Sequence, residues 1–126
     1  MTTRDLTNKI CASLPGSENS DPWKDVGKSA DHDGPRHDVW KIGGKMYACV
    51  GSKTPGVSVK TDSIETAQML IDVGLGTKAP YFHRSWVLLN EDVDEDELRH
   101  RLIGAYKIIR GKLTKKAQAA LPPFEG

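Results

Sequence analysis

The chain has only two cysteines, Cys11 and Cys49, and no C-x-x-C pair, which argues against a disulfide framework and a structural zinc site. Both are expected as reduced, buried thiols. No run approaches the ~18 apolar residues that a membrane-spanning helix needs. The opening Met1-Thr-Thr-Arg-Asp5 has no apolar core of signal-peptide length, so a cytoplasmic protein with no membrane partner is expected. The glycines do not fall as G-x-G-x-x-G or as a phosphate-cradling P-loop, and no serine sits in a G-x-S-x-G elbow. Neither cysteine has a basic neighbour to activate it, although Cys49 is a candidate for the open side of a strand. No catalytic residue, cofactor or enzyme activity is expected. An excess of one charge is also missing, the net charge being +1.

What is present describes an ordinary globule. Of 126 residues, 37% are hydrophobic and 28% charged, enough for one domain with a buried core. The charge is unevenly spread. Residues 1–38 hold five bases and seven acids (−2), residues 39–90 six bases and three acids (+3), and residues 91–126 seven of each. In the last segment, six acids lie at 91–97 and every base lies at or after Arg99, the order a helix dipole favours. A mildly basic middle is compatible with nucleic acid without requiring it.

The segment Trp40-Lys-Ile-Gly-Gly-Lys-Met-Tyr-Ala-Cys-Val50 reads as a β-hairpin, because Gly43-Gly44 allows positive φ at both positions of a type I′ turn. Simple alternation puts Trp40, Ile42, Met46 and Ala48 on a scaffold face, leaving Lys41, Lys45, Tyr47 and Cys49 on the other. Leu6, Ile10 and Leu14 mark a first helix over 3–14, capped by Thr3 and ended by Pro15-Gly16. Residues 16–38 are polar, with a short strand around 24–28 and a turn at 31–35. A turn at 53–56 and a strand at 57–60 follow. Ile64, Ala67, Leu70 and Ile71 stripe a second helix that starts at Asp62 or Ser63 and ends at Gly74. Strands are expected at 77–81 and 85–89. Leu98, Leu102, Ala105, Tyr106, Ile109 and Leu113 stripe a long helix capped by Asp94. The order α-β-β-β-α-β-β-α makes a two-layer α+β domain, an antiparallel sheet with helices packed on one face. One domain covers 1–126, its core at about 4–115, with 116–126 a frayed tail or an added surface segment.

Two segments concentrate chemistry. Asp31-His-Asp-Gly-Pro-Arg-His-Asp38 holds candidate metal ligands but no helix to space its histidines, and a solvated loop is the simpler reading, so no metal is expected. Pro80-Tyr-Phe-His-Arg-Ser-Trp86 sets aromatics beside cations, which suits stacking on bases and gripping phosphates. The same rings also suit the sheet–helix core.

Leu14-Pro-Gly16, Val39-Trp-Lys-Ile-Gly-Gly-Lys-Met-Tyr-Ala48, Val57-Ser-Val-Lys60, the basic aromatic segment ending in Trp86-Val, and Ala105-Tyr-Lys-Ile-Ile-Arg110 together resemble the MmcQ/YjbR family of small bacterial proteins, over about 4–115. The Lys41-to-Ala48 block is the most specific piece. The resemblance implies a fold similar to type III secretion chaperones and DNA binding through a double wing. It makes the 42–46 hairpin one wing, with Lys41 and Lys45 as phosphate contacts, and adds Lys60. One version of the family carries Tyr/His-Asn-Lys-x-His-Trp before the strand that includes Trp86. Here Tyr81, Arg84 and Trp86 echo it, while the asparagine and second histidine are missing, as in a divergent subfamily.

The expectation is therefore a monomeric DNA-binding module without sequence preference. Lys41, Lys45, Lys53, Lys60, Lys78 and Arg84 would contact phosphates, and Tyr47, Tyr81 and Trp86 would stack or line a pocket. The rivals are a peptide- or protein-binding scaffold that uses the open sheet face or a strand edge, and a pocket for a small ligand around Trp40, Tyr47, Cys49 and Trp86.

Overall fold

The computed structural model describes residues 2–20, 38–51, 56–80 and 82–124. The sequence-predicted strand at 24–28, the metal-ligand candidates at 31–37 and most of the 53–56 turn lie outside the described residues.

Each helix begins at a side chain that accepts from an otherwise unpaired backbone N–H. Helix α1 (Thr3–Ala12) is capped by Thr2 rather than Thr3 and ends before the expected Leu14. The Thr2 hydroxyl accepts from the Asp5 N–H at 3.1 Å and the Asp5 carboxylate accepts from the Thr2 N–H at 3.3 Å, a reciprocal capping box. Ser63 caps α2 (Ile64–Asp72), Asp94 caps α3 (Glu95–Gly111), and Thr114 caps α4 (Lys115–Ala119). Helix α4 was not expected. Beyond it the tail docks on the domain: Phe124 meets Tyr106 edge-on at 4.9 Å, and Arg110 donates to the Pro122 carbonyl at 2.7 Å.

The strands are β1 (Ser17–Ser20), β2 (Asp38–Ile42), β3 (Lys45–Val50), β4 (Val57–Lys60), β5 (Gly76–Lys78) and β6 (Trp86–Leu89). They form one sheet in the order β1-β2-β3-β4-β6-β5, and every pairing is antiparallel. Strand β1 escaped the sequence reading because Ser-Glu-Asn-Ser has neither alternation nor β-branched residues. It exists because α1 ends at a turn that lays it against β2, where a polar edge strand is well tolerated.

Helices α1 and α3 lie side by side over the β1–β4 half, and α2 covers β5 and β6. They share one core in which Ile10, Ile42, Tyr47, Val57, Val59, Leu70, Val87, Leu89, Leu98, Leu102 and Tyr106 are almost completely buried. Burying each such side chain contributes about 1.5–3 kcal/mol. Val39, Cys49, Ser58 and Trp86 point to the opposite face by register and are at most 9% exposed. No described helix is long and apolar enough to cross a membrane.

The hairpin has the expected turn, with φ of +59° at Gly43 and +80° at Gly44. A Cβ at Gly43 would fall 2.5 Å from Leu113 Cδ1, so the hairpin tip sits directly on the end of α3. The expected alternation fails at one point. Trp40 pairs with Ala48, but Lys41 pairs with Met46, leaving Tyr47 as the extra residue of a β-bulge. Two successive side chains at a bulge lean to the same face. Tyr47 therefore joins Ala48 under the helices, and Met46 moves to the outer face beside Lys41. Tyr47 is 0% exposed, meets Tyr106 edge-on at 5.7 Å, and places its hydroxyl 2.6 Å from Ser17 Oγ. This corrects its assignment to the outer side. A ring enclosed in this way cannot stack on an external base.

Candidate nucleic-acid interface at the basic end of the sheet

Antiparallel pairing brings together residues that are far apart in sequence. Lys45 opens β3 beside the hairpin tip, and Lys60 closes β4, which runs the opposite way. Lys60 pairs with Trp86, so Arg84 lies just before β6 at the same end, and Lys78 pairs with Val87 where β5 finishes. The seat of Leu113 against Gly43 brings the C-terminus of α3, with Lys112, to this end too. Lys115 and Lys116 follow at once in α4. The acids here among the described residues are Glu18, paired in register with Lys41, and Asp62 and Glu65 around the start of α2.

The opposite end is acidic. Glu91 and Asp92 follow β6, and Asp94, Glu95, Asp96 and Glu97 begin α3. The 17 residues of α3 separate the two groups by about 25 Å. The ion pairs among the described residues are Arg4–Asp38, Arg99–Glu95 and Arg101–Glu97. Asp38 starts β2, away from the hairpin tip, and Glu95 and Glu97 start α3, so these pairs lie toward the acidic end. Lys45, Lys78 and Arg84 are exposed and have no ion pair among the described residues.

Of the other sequence-predicted contacts, Lys41 is half-buried on the outer face opposite Glu18. Lys53 and Tyr81 lie outside the described residues. Trp86 is 9% exposed and already stacked on Phe82, centroids 4.5 Å apart and planes 20° apart, so a base could not sandwich it without displacing Phe82. Trp40 is core, its Nε1 donating to Asn8 Oδ1 at 2.9 Å. The pocket imagined around Trp40, Tyr47, Cys49 and Trp86 is divided between the two faces of the sheet.

One cluster was missed. Lys60 Nζ donates to Ser85 Oγ, which lies 2.9 Å from His83 Nδ1. The same Nδ1 accepts from the Ser85 backbone N–H at 3.1 Å, so this nitrogen carries no proton, and the Ser85 hydroxyl donates to it. Ser85 is 3% exposed, and its carbonyl accepts from the Thr61 N–H at 2.9 Å and the Thr61 hydroxyl at 2.6 Å. Burial lowers the Lys60 pKa, and the nearby Lys112 ammonium lowers it further. The His-x-Ser spacing was visible in the sequence. Its lysine partner was not, because that contact depends on the β4–β6 register.

Burial pushes the Cys11 thiol up to about 12, against a smaller opposing effect from Tyr47, so it stays protonated near neutrality. Among the described residues no group of three or more His, Cys, Asp or Glu side chains converges to hold a metal.

Among solved structures, the chain is similar to the crystal structure of Deinococcus radiodurans protein DR2400, whose family-model domain is DUF419. The TM-score is 0.74 at 22% identity, covering 94% of this chain and 87% of that one, a likeness that establishes the fold. A search of curated proteins gave no match. The YjbR family model matches residues 12–108, from the end of α1 through the hairpin and the sheet into the last turns of α3. The chain belongs to the MmcQ/YjbR family.

Proposed function

We propose that this protein is a monomeric cytoplasmic module that binds double-stranded DNA through phosphates at the basic end of its sheet, without reading sequence. One observation carries the reading: Lys45, Lys60, Lys78 and Arg84 gather from four strands or their flanks at one end and have no ion pair among the described residues. Strands β3, β4, β6 and β5 are neighbours about 4.8 Å apart, so the row is ~14 Å long. At a rise of about 3.4 Å per nucleotide it faces roughly four nucleotides of one strand. Lysine contacts to phosphate set position and affinity but carry no base information.

The peptide-scaffold reading draws less support. Val39, Cys49 and Trp86 on the outer sheet face are buried, and the edge strands β1 and β5 have four and three residues. The large exposed hydrophobics among the described residues are Met69 and Val73, at the end of α2 rather than on the sheet.

Amide shift mapping with a short duplex at low ionic strength tests the proposal. The resonances of Lys45, Lys78, Arg84 and Lys112 should move together while those of residues 94–97 stay in place. Absence of binding, or perturbations centred on the acidic end, would sink it.

A further inference from the structure

We infer that the surface between the Pro15-Gly16 turn and the last turns of α3 is a recognition site for an extended peptide with two prolines followed by an aromatic ring, and that the chain's own Leu121-Pro-Pro-Phe124 fills it as a tethered ligand. The site goes beyond the DNA-binding reading and does not rest on it.

The receiving side is held by contacts that do not involve the tail. The ring of Tyr106 is fully buried, and its hydroxyl donates to the Pro15 carbonyl at 2.6 Å while accepting from Arg110 Nη1 at 2.8 Å. The guanidinium is thereby fixed over the Tyr106 ring, 5.8 Å from its centroid. Its other terminal nitrogen, Nη2, donates to the Pro122 carbonyl at 2.7 Å. Gly16 forms the floor. A Cβ there would lie 3.0 Å from Leu121 Cδ2 and 3.3 Å from Pro122 Cδ, so the leucine and the first proline sit in the space that the missing side chain leaves. Pro15, Gly16 and Tyr106 fall within the residues 12–108 that the family model matches, and Arg110 follows on the same helix. The tail lies beyond that match, so an added segment fills a groove that the domain itself makes.

The segment has the chemistry of a ligand. Each proline fixes its own φ and biases the residue before it toward extended backbone, so Leu121-Pro-Pro loses little freedom on docking. Prolines also lack an N–H, which leaves carbonyls as the polar groups such a stretch offers, and Arg110 takes the one at Pro122. Pro122 and Pro123 are exposed, while Leu121 and Phe124 are half-buried against the core. Phe124 stands edge-on to Tyr106 at 4.9 Å, with the Lys107 ammonium 5.7 Å from its centroid. Three anchors therefore read a short sequence: a leucine on Gly16, a carbonyl on Arg110, and a ring between Tyr106 and Lys107. Proline-rich peptides are recognised by this combination of an aromatic-lined groove and a donor for a carbonyl. A stretch attached mainly through two half-buried side chains and the Arg110 bond can be exchanged for another of the same chemistry.

The test is a titration of the full chain with the synthetic peptide Leu-Pro-Pro-Phe-Glu-Gly, acetylated at its amino end, followed at the Gly16 and Lys107 amides and the Arg110 side-chain N–H. The tether gives the resident tail an effective concentration in the millimolar range, so the parent should respond only above about that concentration. Phe124→Ala loosens the tail and leaves the groove's own residues in place, and in it the peptide should saturate at about tenfold lower concentration. A peptide with alanine for the phenylalanine should bind that variant about tenfold more weakly. Adding Arg110→Lys to Phe124→Ala keeps the charge but removes the planar fork, and should cost about tenfold as well. The amides of Lys45 and of residues 94–97 should not move.

The comparison of the two peptides changes nothing in the groove, so it decides the matter even where Arg110→Lys lowers stability. No saturable response at Gly16 and Arg110 in Phe124→Ala, or an equal response to the alanine peptide, would overturn the site. Sedimentation of the parent at rising concentration separates the sources. A dimer that the peptide dissolves would assign the groove to the tail of a second copy and defeat the tethered reading, whereas a monomer throughout supports it.

Discussion

Neutralising Lys45 and Lys78 together tests the proposed interface most directly, because neither side chain has an ion pair among the described residues to lose. Both are exposed, so Lys45→Gln/Lys78→Gln should leave stability within about 0.5 kcal/mol of the parent. The effect on DNA follows from counterion release. Each neutralised phosphate contributes about −0.9 to the slope of log affinity against log salt. Contacts from Lys45, Lys60, Lys78 and Arg84 give a slope near −3.6, so affinity should fall about 150-fold between 50 and 200 mM salt. With two contacts removed the slope is near −1.8 and the same change of salt costs about 12-fold. The difference lies well above the resolution of a fluorescence-anisotropy titration.

Arg99→Gln is the matched control. It removes one cation from the acidic end, where Arg99 faces Glu95 at 3.7 Å. Its slope should equal that of the parent. Parallel salt dependences for the parent and the double variant would refute the interface, as would an equal effect from Arg99→Gln. A parent slope below about −2 in magnitude would show that the four cations do not bind together.

Three further outcomes follow from the fold and from Lys60. Gly56→Ala should destabilise the domain by about 3 kcal/mol or more, because Gly56 has φ of +92° and a Cβ there would lie 2.1 Å from the Leu89 carbonyl oxygen; a chemical-denaturation midpoint equal to the parent's would contradict the close β4–β6 approach. Thr7→Val should stabilise by about 1 kcal/mol, since the Thr7 hydroxyl is fully buried without a hydrogen-bond partner; a loss of melting temperature would show that the hydroxyl is satisfied after all. Lys60 has a folded-state pKa below its ordinary 10.5 through burial and then Lys112, so between the folded value and 10.5 the unfolded chain binds more protons than the folded one. The parent's stability relative to Lys60→Met should therefore rise with pH through that window and level off above it, and a flat difference in denaturation midpoints would remove the cause assigned to the shift.

The elements most legible in the sequence were those whose physics is local. The Gly-Gly turn needs two positive φ values and has them, and the stripes of α2 and α3 face the core as their spacing requires. What stayed hidden depends on pairing. Strand β1 has no apolar pattern and is held by its partner. Tyr47 turned inward because one residue too many lies between two register points, and no alternation rule can anticipate that. Its hydroxyl finds Ser17, a residue of that same unforeseen strand. The Lys60–Ser85 contact joins residues 25 apart and exists only once β4 and β6 are in register. The bases were singled out as a set from the middle of the chain. Their gathering at one end is a property of antiparallel connection.

That gathering has two separable causes, and only one bears on function. Helix α3 begins with Glu95, Asp96 and Glu97 and carries Arg110 in its last turn, the arrangement its macrodipole stabilises by about 0.3–1 kcal/mol per well-placed charge. Stability alone thus accounts for acids at one end of this helix and for Arg110, with Lys112 after it, at the other. It does not account for Lys45, Lys78 and Arg84. These stand at a hairpin tip, on an edge strand and in the loop before β6, outside the last turn of α3, and no described acid forms an ion pair with them. Alternating their sign along the sheet end would lower the local repulsion at no cost to packing. Three exposed cations kept in one row, against that repulsion, are the part of the charge pattern that folding does not explain and that a polyanion does.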